Sequence, residues 1–370
     1  MDKTSKCIYC LQEKPETEFN REHVISRMLG TYENAPVLNH NEVCKECNSY
    51  FCDELENVVS MDSYEGLLRT QHIQKVHRSA GRPIGKTRLS ITGQNGVFSG
   101  LTLFVSANPN NPERIQLEAA PAIGIVRDPE KDKYDYYQLD EIPQNNESIR
   151  RNMSKSSRPI ITFGYEEDEV FSALSSKGYD LSKAKYTGDL DISDVTRETD
   201  ILIEIKGKVD NILSRLAAKN IMNYLCCSYG KEYVLDPKFD TLRTFIRYGT
   251  VSDTIKMCVN NGGLTGIPGR VKNSHVIGTA WAAVDSLYLC GFVSWFGAIT
   301  YSFLIEKQPY LRVFPDMSFA VCDNQSRVIT EYRNPLLVEW PDSKYSISIV
   351  GNRAVLIPKA NTTNEVKSDA

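Results

Sequence analysis

Four cysteines within the first 47 residues constrain this chain more than any other feature. They form two pairs, Cys7-x2-Cys10 and Cys44-x2-Cys47, with 33 residues between them. Two such tight turns can bring four thiolates to the corners of a tetrahedron around Zn²⁺. A segment this short, with few large apolar side chains, needs such a staple to hold a fold. Structural zinc on Cys7, Cys10, Cys44 and Cys47 is the expectation. The N-terminal stretch MDKTSKCIYC has no apolar core of the signal-peptide kind. A reducing, cytoplasmic setting is expected, where CxxC pairs bind metal or do redox chemistry. Cys52 is read as a packing residue on a helix. Cys226, Cys227, Cys258, Cys290 and Cys322 lie in apolar surroundings and are read as buried small hydrophobes.

The chain has 370 residues and a net charge of −4, so it is no polycation built to coat nucleic acid. Phosphate contacts must come from local patches. From Arg69 to Arg88 there are six Lys/Arg and no Asp/Glu: Arg69, Lys75, Arg78, Arg82, Lys86 and Arg88. A shorter patch carries Arg150, Arg151, Lys155 and Arg158. Leu287 to Ile305 is uncharged and long enough to suggest a membrane span. Its aromatic and β-branched residues, with Gly, Ser and Thr spread among them, instead predict two buried strands meeting near Trp295-Phe296-Gly297. No membrane partner is expected.

Between the cysteine pairs stands EHVISRMLG, residues 22–30. The run CIYC…EHVISRMLG…NHNEVCKECNSYF resembles the HNH endonucleases of the zinc-ribbon, ββα-metal kind, over roughly residues 5–58. The acid-His pair of that family corresponds to Glu22-His23. Its central Asn corresponds to Asn39, and the residue after the second knuckle to Asn48. The sequence departs from the family's common pattern at Glu22, where Asp or His is frequent, and at Ser26, where Pro is usual. It departs again in the acidic SYFCDELE, where a basic residue often follows the final Asn.

The resemblance implies phosphodiester hydrolysis of DNA. His23 would be the general base, since a neutral imidazole takes a proton from water near neutral pH. Asn39 would fix its tautomer through the other ring nitrogen. Glu22 and Asn48 would hold a catalytic Mg²⁺ or Mn²⁺ through oxygen ligands. Arg69, Lys75, Arg78, Arg82, Lys86 and Arg88 would track the phosphate backbone. His40 is an alternative base, and Asp53 an alternative or supporting ligand one turn further along the helix. His72 and His77 are read as phosphate-facing or packing residues, His275 as a core histidine. A small nuclease head on a large body is also the layout of bacterial anti-phage effectors. There the body senses a regulatory protein partner or an activating signal.

Two other readings stand beside this one. The first is a non-catalytic zinc-ribbon module that binds nucleic acid or protein. The second is a PD-(D/E)xK-type nuclease, because TDILIEIKGK places Asp200, Glu204 and Lys206 in one strand candidate, with Asp189 or Asp191 as an earlier acid. The bland form of that pattern is a strand with alternating faces. NNGGLTGIPGR (260–270) lacks the Lys-Ser/Thr ending of a phosphate-binding loop and is read as a loop.

The fold class expected is α+β: a small N-terminal ββα-metal zinc module, then a larger, strand-rich mixed α+β body. The boundaries expected are 1–60 for the module, 61–90 for a helical basic connector, 91–250 for an α+β domain, 251–358 for a β-rich domain and 359–370 for a disordered tail. A helix is predicted from Asn48 to Ser60 and another from Tyr64 to His77. The clearest helix runs from Val209 to Cys227, where apolar residues recur at 3.6-residue spacing. Strands are predicted over RLSITG, LTLFVSA, IQLEAAPAIGIV and 200–206, and a strand followed by a helix over 161–180.

Overall fold

A computed structural model describes residues 3–359, apart from 40, 62, 73–88, 95, 109–110, 183–202, 208, 254, 263–272, 309–317, 334–335, 339, 341–342 and 351–352. The chain forms two compact units. One joins Met1–Ser60 to Val209–Ala370, and the other is Met61–Lys208. This differs from the linear division expected at residues 90 and 250. The reason lies in the helix Asn211–Tyr229, which packs on the C-terminal sheet and on the N-terminal module together.

In the first unit, short hairpins pair Thr4–Lys6 with Glu13–Pro15 and Glu22–His23 with Val37–Leu38. Helix follows over residues 45–61, with a π-helical turn at Cys52–Glu56. Such wider turns recur at functional sites. This one ends on Glu56, whose carboxylate lies 2.6 Å from Lys219 Nζ and 2.7 Å from Ser26 Oγ.

The C-terminal part is an antiparallel sheet in the order Met257–Asn261, Ile299–Gln308, Leu287–Trp295, His275–Ala283, Phe319–Cys322, Ile329–Tyr332, with Leu337–Val338 added in parallel to His275–Ala283. The apolar run at 287–305 is thus a hairpin, as its composition predicts. Phe296 and Gly297 take φ of 54° and 63°, and Ala298 N–H closes the turn onto Trp295 O at 3.0 Å. Positive φ at both central residues matches the twist of the flanking strands. Every residue of His275–Ala283 is buried, so the strand reads as an apolar run with no alternation.

Asn211–Tyr229 starts at Asp210, whose side chain caps Ile212 and Leu213 N–H. Its apolar residues Leu213, Leu216, Ala217, Ile221 and Leu225 are all buried. The helix lies close on the sheet at Gly291, where an added Cβ would stand 2.4 Å from Ile221 Cγ2. Among the described residues no helix is long and apolar enough to cross a membrane.

The second unit contains a three-stranded sheet in the order Ile160–Phe163, Ala122–Asp128, Lys133–Tyr137. Hairpin Leu103–Asn108/Asn111–Ala119 and ladder Leu89–Gly93/Ile203–Gly207 are further strands of this unit among the described residues. Pro121 separates two strands where the sequence shows one apolar run. Helix Tyr64–His72 opens the unit, and Leu67 packs in its core with Phe98, Leu101 and Phe163. Helix Glu167–Ser176 begins with a capping box between Glu166 and Glu169. Arg150, Arg151, Lys155 and Arg158 are exposed on and just after helix Glu147–Met153.

Candidate active site and metal centre

The four cysteines come together as their spacing predicts. Their sulfurs all lie within 4.8 Å of one another. Cys7 and Cys47 Sγ are 3.8 Å apart, as are Cys10 and Cys44 Sγ. Four thiolates about 2.3 Å from one zinc stand about 3.8 Å apart along a tetrahedron edge. The donor set therefore fits structural zinc. The contact with Cys47 draws Cys7 down to about 4, while burial pushes Cys44 up to about 11. Cys44 N–H and Arg247 Nη1 each donate to a sulfur at 3.4 Å, on Cys7 and Cys47 respectively, which steadies thiolate charge.

Cys52 is exposed, against the packing role expected of it, because the π-helical turn presents it outward. Cys227 is also exposed, at the outer face of its helix, while Cys226, Cys258, Cys290 and Cys322 are buried as expected. His275 is a core residue. Its Nδ1 accepts from Phe296 N–H at 3.1 Å, so Nε2–H is the donor to Leu29 O at 2.8 Å.

Glu22 and His23 share a two-residue strand, and side chains of adjacent strand residues point to opposite faces. Glu22 points inward, with its side chain 6% exposed. Lys219 Nζ, 0% exposed, stands 2.5 Å from Glu22 Oε1 and 2.6 Å from Glu56 Oε1. Asn223 Nδ2 donates to Glu22 Oε1 at 3.0 Å and to His23 O at 3.1 Å. Tyr9 OH, between the first two cysteines, donates to Asn223 Oδ1 at 2.6 Å. Ser26 Oγ donates to Glu56 Oε1 at 2.7 Å.

Burial pushes the Glu22 carboxyl up, against the pull of Lys219. Glu56 is pushed up by burial too, but Lys219 and Ser26 together hold it below the usual range. Burial works against the Lys219 ammonium, and the two carboxylates outweigh it, so the lysine stays charged.

His23 is half-buried, and its ring forms no hydrogen bond to another described residue. Burial, then the cations Arg27 and Arg21, hold its pKa below the ordinary 6.5. Asn48 Nδ2 donates to Asn20 Oδ1 at 2.8 Å and to Arg21 O at 3.2 Å. The start of the module helix is thereby tied to the strand that leads into Glu22. The Asn48 carboxamide oxygen has no donor among the described residues. Asn39 is exposed just past Val37–Leu38 and makes no side-chain hydrogen bond to His23. Asp53 is exposed, and His40 and His77 lie outside the described residues.

A hydrated divalent cation needs open oxygen ligands. Asn48 offers one. Glu22 does not fit that need as arranged, since Lys219 already neutralises it and solvent hardly reaches it. Of the basic residues expected on phosphate, Arg69 is half-buried. Lys75, Arg78, Arg82, Lys86 and Arg88 lie outside the described residues, as do Asp189, Asp191 and Asp200. Glu204 and Lys206 are exposed and pair with each other at 2.8 Å.

The residues that sequence reasoning missed are Lys219, Asn220 and Asn223, all buried in the long helix. Their signal is a polar stripe at i, i+4, i+8 (Arg215, Lys219, Asn223) on a helix otherwise apolar on most sides. Residues 7–63 match the family model described as HNH endonuclease. No curated protein matches the chain, and no solved structure does.

Proposed function

We propose that the chain is a metal-dependent endonuclease that hydrolyses phosphodiester bonds in DNA, with His23 as general base. The observation that carries this reading is the His23 ring itself. It is half-buried, forms no hydrogen bond to another described residue, and is biased toward its neutral form by burial and by Arg27 and Arg21. A neutral imidazole can take a proton from an attacking water. The same arginines, both exposed, offer positive charge to a phosphate backbone beside the base. The match of residues 7–63 to the HNH endonucleases supports the reaction class.

A bound divalent cation would offset charge on the leaving oxygen, and Asn48 Oδ1 is the open acceptor for it. Zinc on the four cysteines would hold the scaffold, and the chemistry would belong to His23. A role as an anti-phage effector regulated through the C-terminal region extends the reading by analogy of layout. In its favour, the C-terminal residues belong to the same compact unit as the module. Whatever moves the helix Asn211–Tyr229 would act directly on Glu22-His23.

The test is plasmid cleavage by purified protein with Mg²⁺, Mn²⁺ or EDTA, comparing wild type with His23→Ala. The expected result is metal-dependent cutting that His23→Ala abolishes while zinc content and folding persist. Cutting that survives in His23→Ala would overturn the assignment of the base.

A further inference from the structure

The acid beside the base is held in a way that a metal ligand would not be. Glu22 Oε1 already accepts from Lys219 Nζ at 2.5 Å and from Asn223 Nδ2 at 3.0 Å. The lysine is fully buried and carries the positive charge that a cation would supply. Bringing a hydrated dication to this carboxylate would set two cations against each other in a space nearly closed to water.

The bonds around Glu22 lead to the base. Asn223 uses both amide hydrogens on the Glu22-His23 dipeptide, one on the acid's side chain and one on the histidine's carbonyl. Its oxygen is fixed in turn by Tyr9 OH at 2.6 Å. Tyr9 lies between Cys7 and Cys10, and its ring packs edge-on against Phe51 with centroids 4.6 Å apart. A continuous path of hydrogen bonds thus runs from the zinc knuckle through Tyr9 and Asn223 to the backbone of His23. A buried hydrogen-bonded path of this kind rigidifies what it touches.

We propose that Glu22 is a positioning residue and not a metal ligand, and that Glu22, Asn223 and Tyr9 together fix the backbone from which the His23 imidazole projects. This rests on the hydrolytic reading of His23. A base displaced by a fraction of an ångström loses rate without losing its metal, because the metal's ligands lie elsewhere.

The experiment is steady-state cleavage of a DNA duplex across a Mn²⁺ titration, for wild type, Glu22→Gln, Tyr9→Phe and Asn223→Ala. Glu22→Gln keeps the shape of the side chain and leaves Lys219 paired with Glu56. Tyr9→Phe removes one hydroxyl and keeps the packing on Phe51. Zinc content and unfolding midpoint are measured for each. The expected result is a kcat lower by roughly tenfold in Glu22→Gln and Asn223→Ala and by a smaller factor in Tyr9→Phe. The half-saturating Mn²⁺ concentration stays within about twofold of wild type in all three. A half-saturating Mn²⁺ concentration raised roughly tenfold or more in Glu22→Gln makes Glu22 a ligand and overturns the proposal. Wild-type kcat in Glu22→Gln and Tyr9→Phe makes the network merely structural and overturns it as well. If Glu22→Gln fails to fold, Tyr9→Phe decides alone by the same criteria. Absence of cutting by the wild-type protein overturns the hydrolytic reading itself, and the positioning role falls with it.

Discussion

Lys219 Nζ and Glu22 Oε1 stand 2.5 Å apart in a site closed to solvent, joining a helix of the C-terminal half to the second hairpin of the N-terminal module. Glu56 completes the cluster at 2.6 Å. Removing one partner of a buried ion pair leaves an uncompensated charge, which costs about 3–5 kcal/mol. Lys219→Met is expected to lower the unfolding free energy by about that amount, measured by urea denaturation. Adding Glu22→Gln and Glu56→Gln to Lys219→Met should recover part of the loss. A single variant as stable as wild type would show that the cluster carries no such energy.

The pH dependence follows from His23. Its pKa is held below 6.5 by burial, then by Arg27 and Arg21. The acid limb of cleavage should therefore have its midpoint below pH 6.5. Arg27→Ala should move that midpoint upward, and more at low salt, because Arg27 is exposed and its effect is screened. Stability has the same sign. The unfolded chain takes up the proton first, so stability present above pH 6.5 falls as pH drops through the lowered value. A pH–rate profile with an acid midpoint above 6.5 would contradict this.

Zinc content gives an independent check. Purified protein should carry one equivalent of zinc, released by a thiol-blocking mercurial and absent in Cys47→Ser. Arg247 Nη1 donates to Cys47 Sγ at 3.4 Å. Arg247→Ala should still bind zinc but surrender it faster to a chelator. Equal release rates would remove Arg247 from the support of the site.

What was legible in the sequence is what local chemistry determines. The cysteine spacing implied the metal cluster, since each CxxC is a single turn. The run at 287–305 implied a hairpin because Phe296-Gly297 suits a turn between β-formers. The long helix showed in its apolar spacing. Hidden was what the polar residues of that helix meet. Lys219 and Asn223 read locally as ordinary helix positions, and their partners Glu22 and Glu56 lie far earlier in the chain. Burial of Glu22 was equally invisible, because a two-residue strand has no pattern long enough to show which face is inside. The joining of Met1–Ser60 to Val209–Ala370 is hidden for the same reason: the helix Asn211–Tyr229 chooses its partners by long-range packing.

Residues 1–60 expressed alone with zinc should fail to form a stable fold. Their buried groups need groups from beyond residue 209: Glu22 needs Lys219, Leu29 O needs His275, and Tyr32 OH needs Asn324 Oδ1 at 2.6 Å. Narrow amide dispersion in an NMR spectrum is the expected outcome. Well-dispersed signals would show that the module folds without the body.

The insertion of one compact unit between the halves of the other has a consequence in time. On a ribosome the cysteines and Glu22-His23 emerge first, and the helix that clamps them follows roughly 8–30 s later at about 5–20 residues per second. Through that interval Glu22 and Glu56 remain solvated and the dipeptide unpinned. A nascent chain stalled inside residues 61–208 carries Glu22-His23 without Lys219 and Asn223, the partners that hold the dipeptide. On the hydrolytic reading, competence to cut would arrive only with the late half of the polypeptide, when Lys219 and Asn223 reach Glu22-His23.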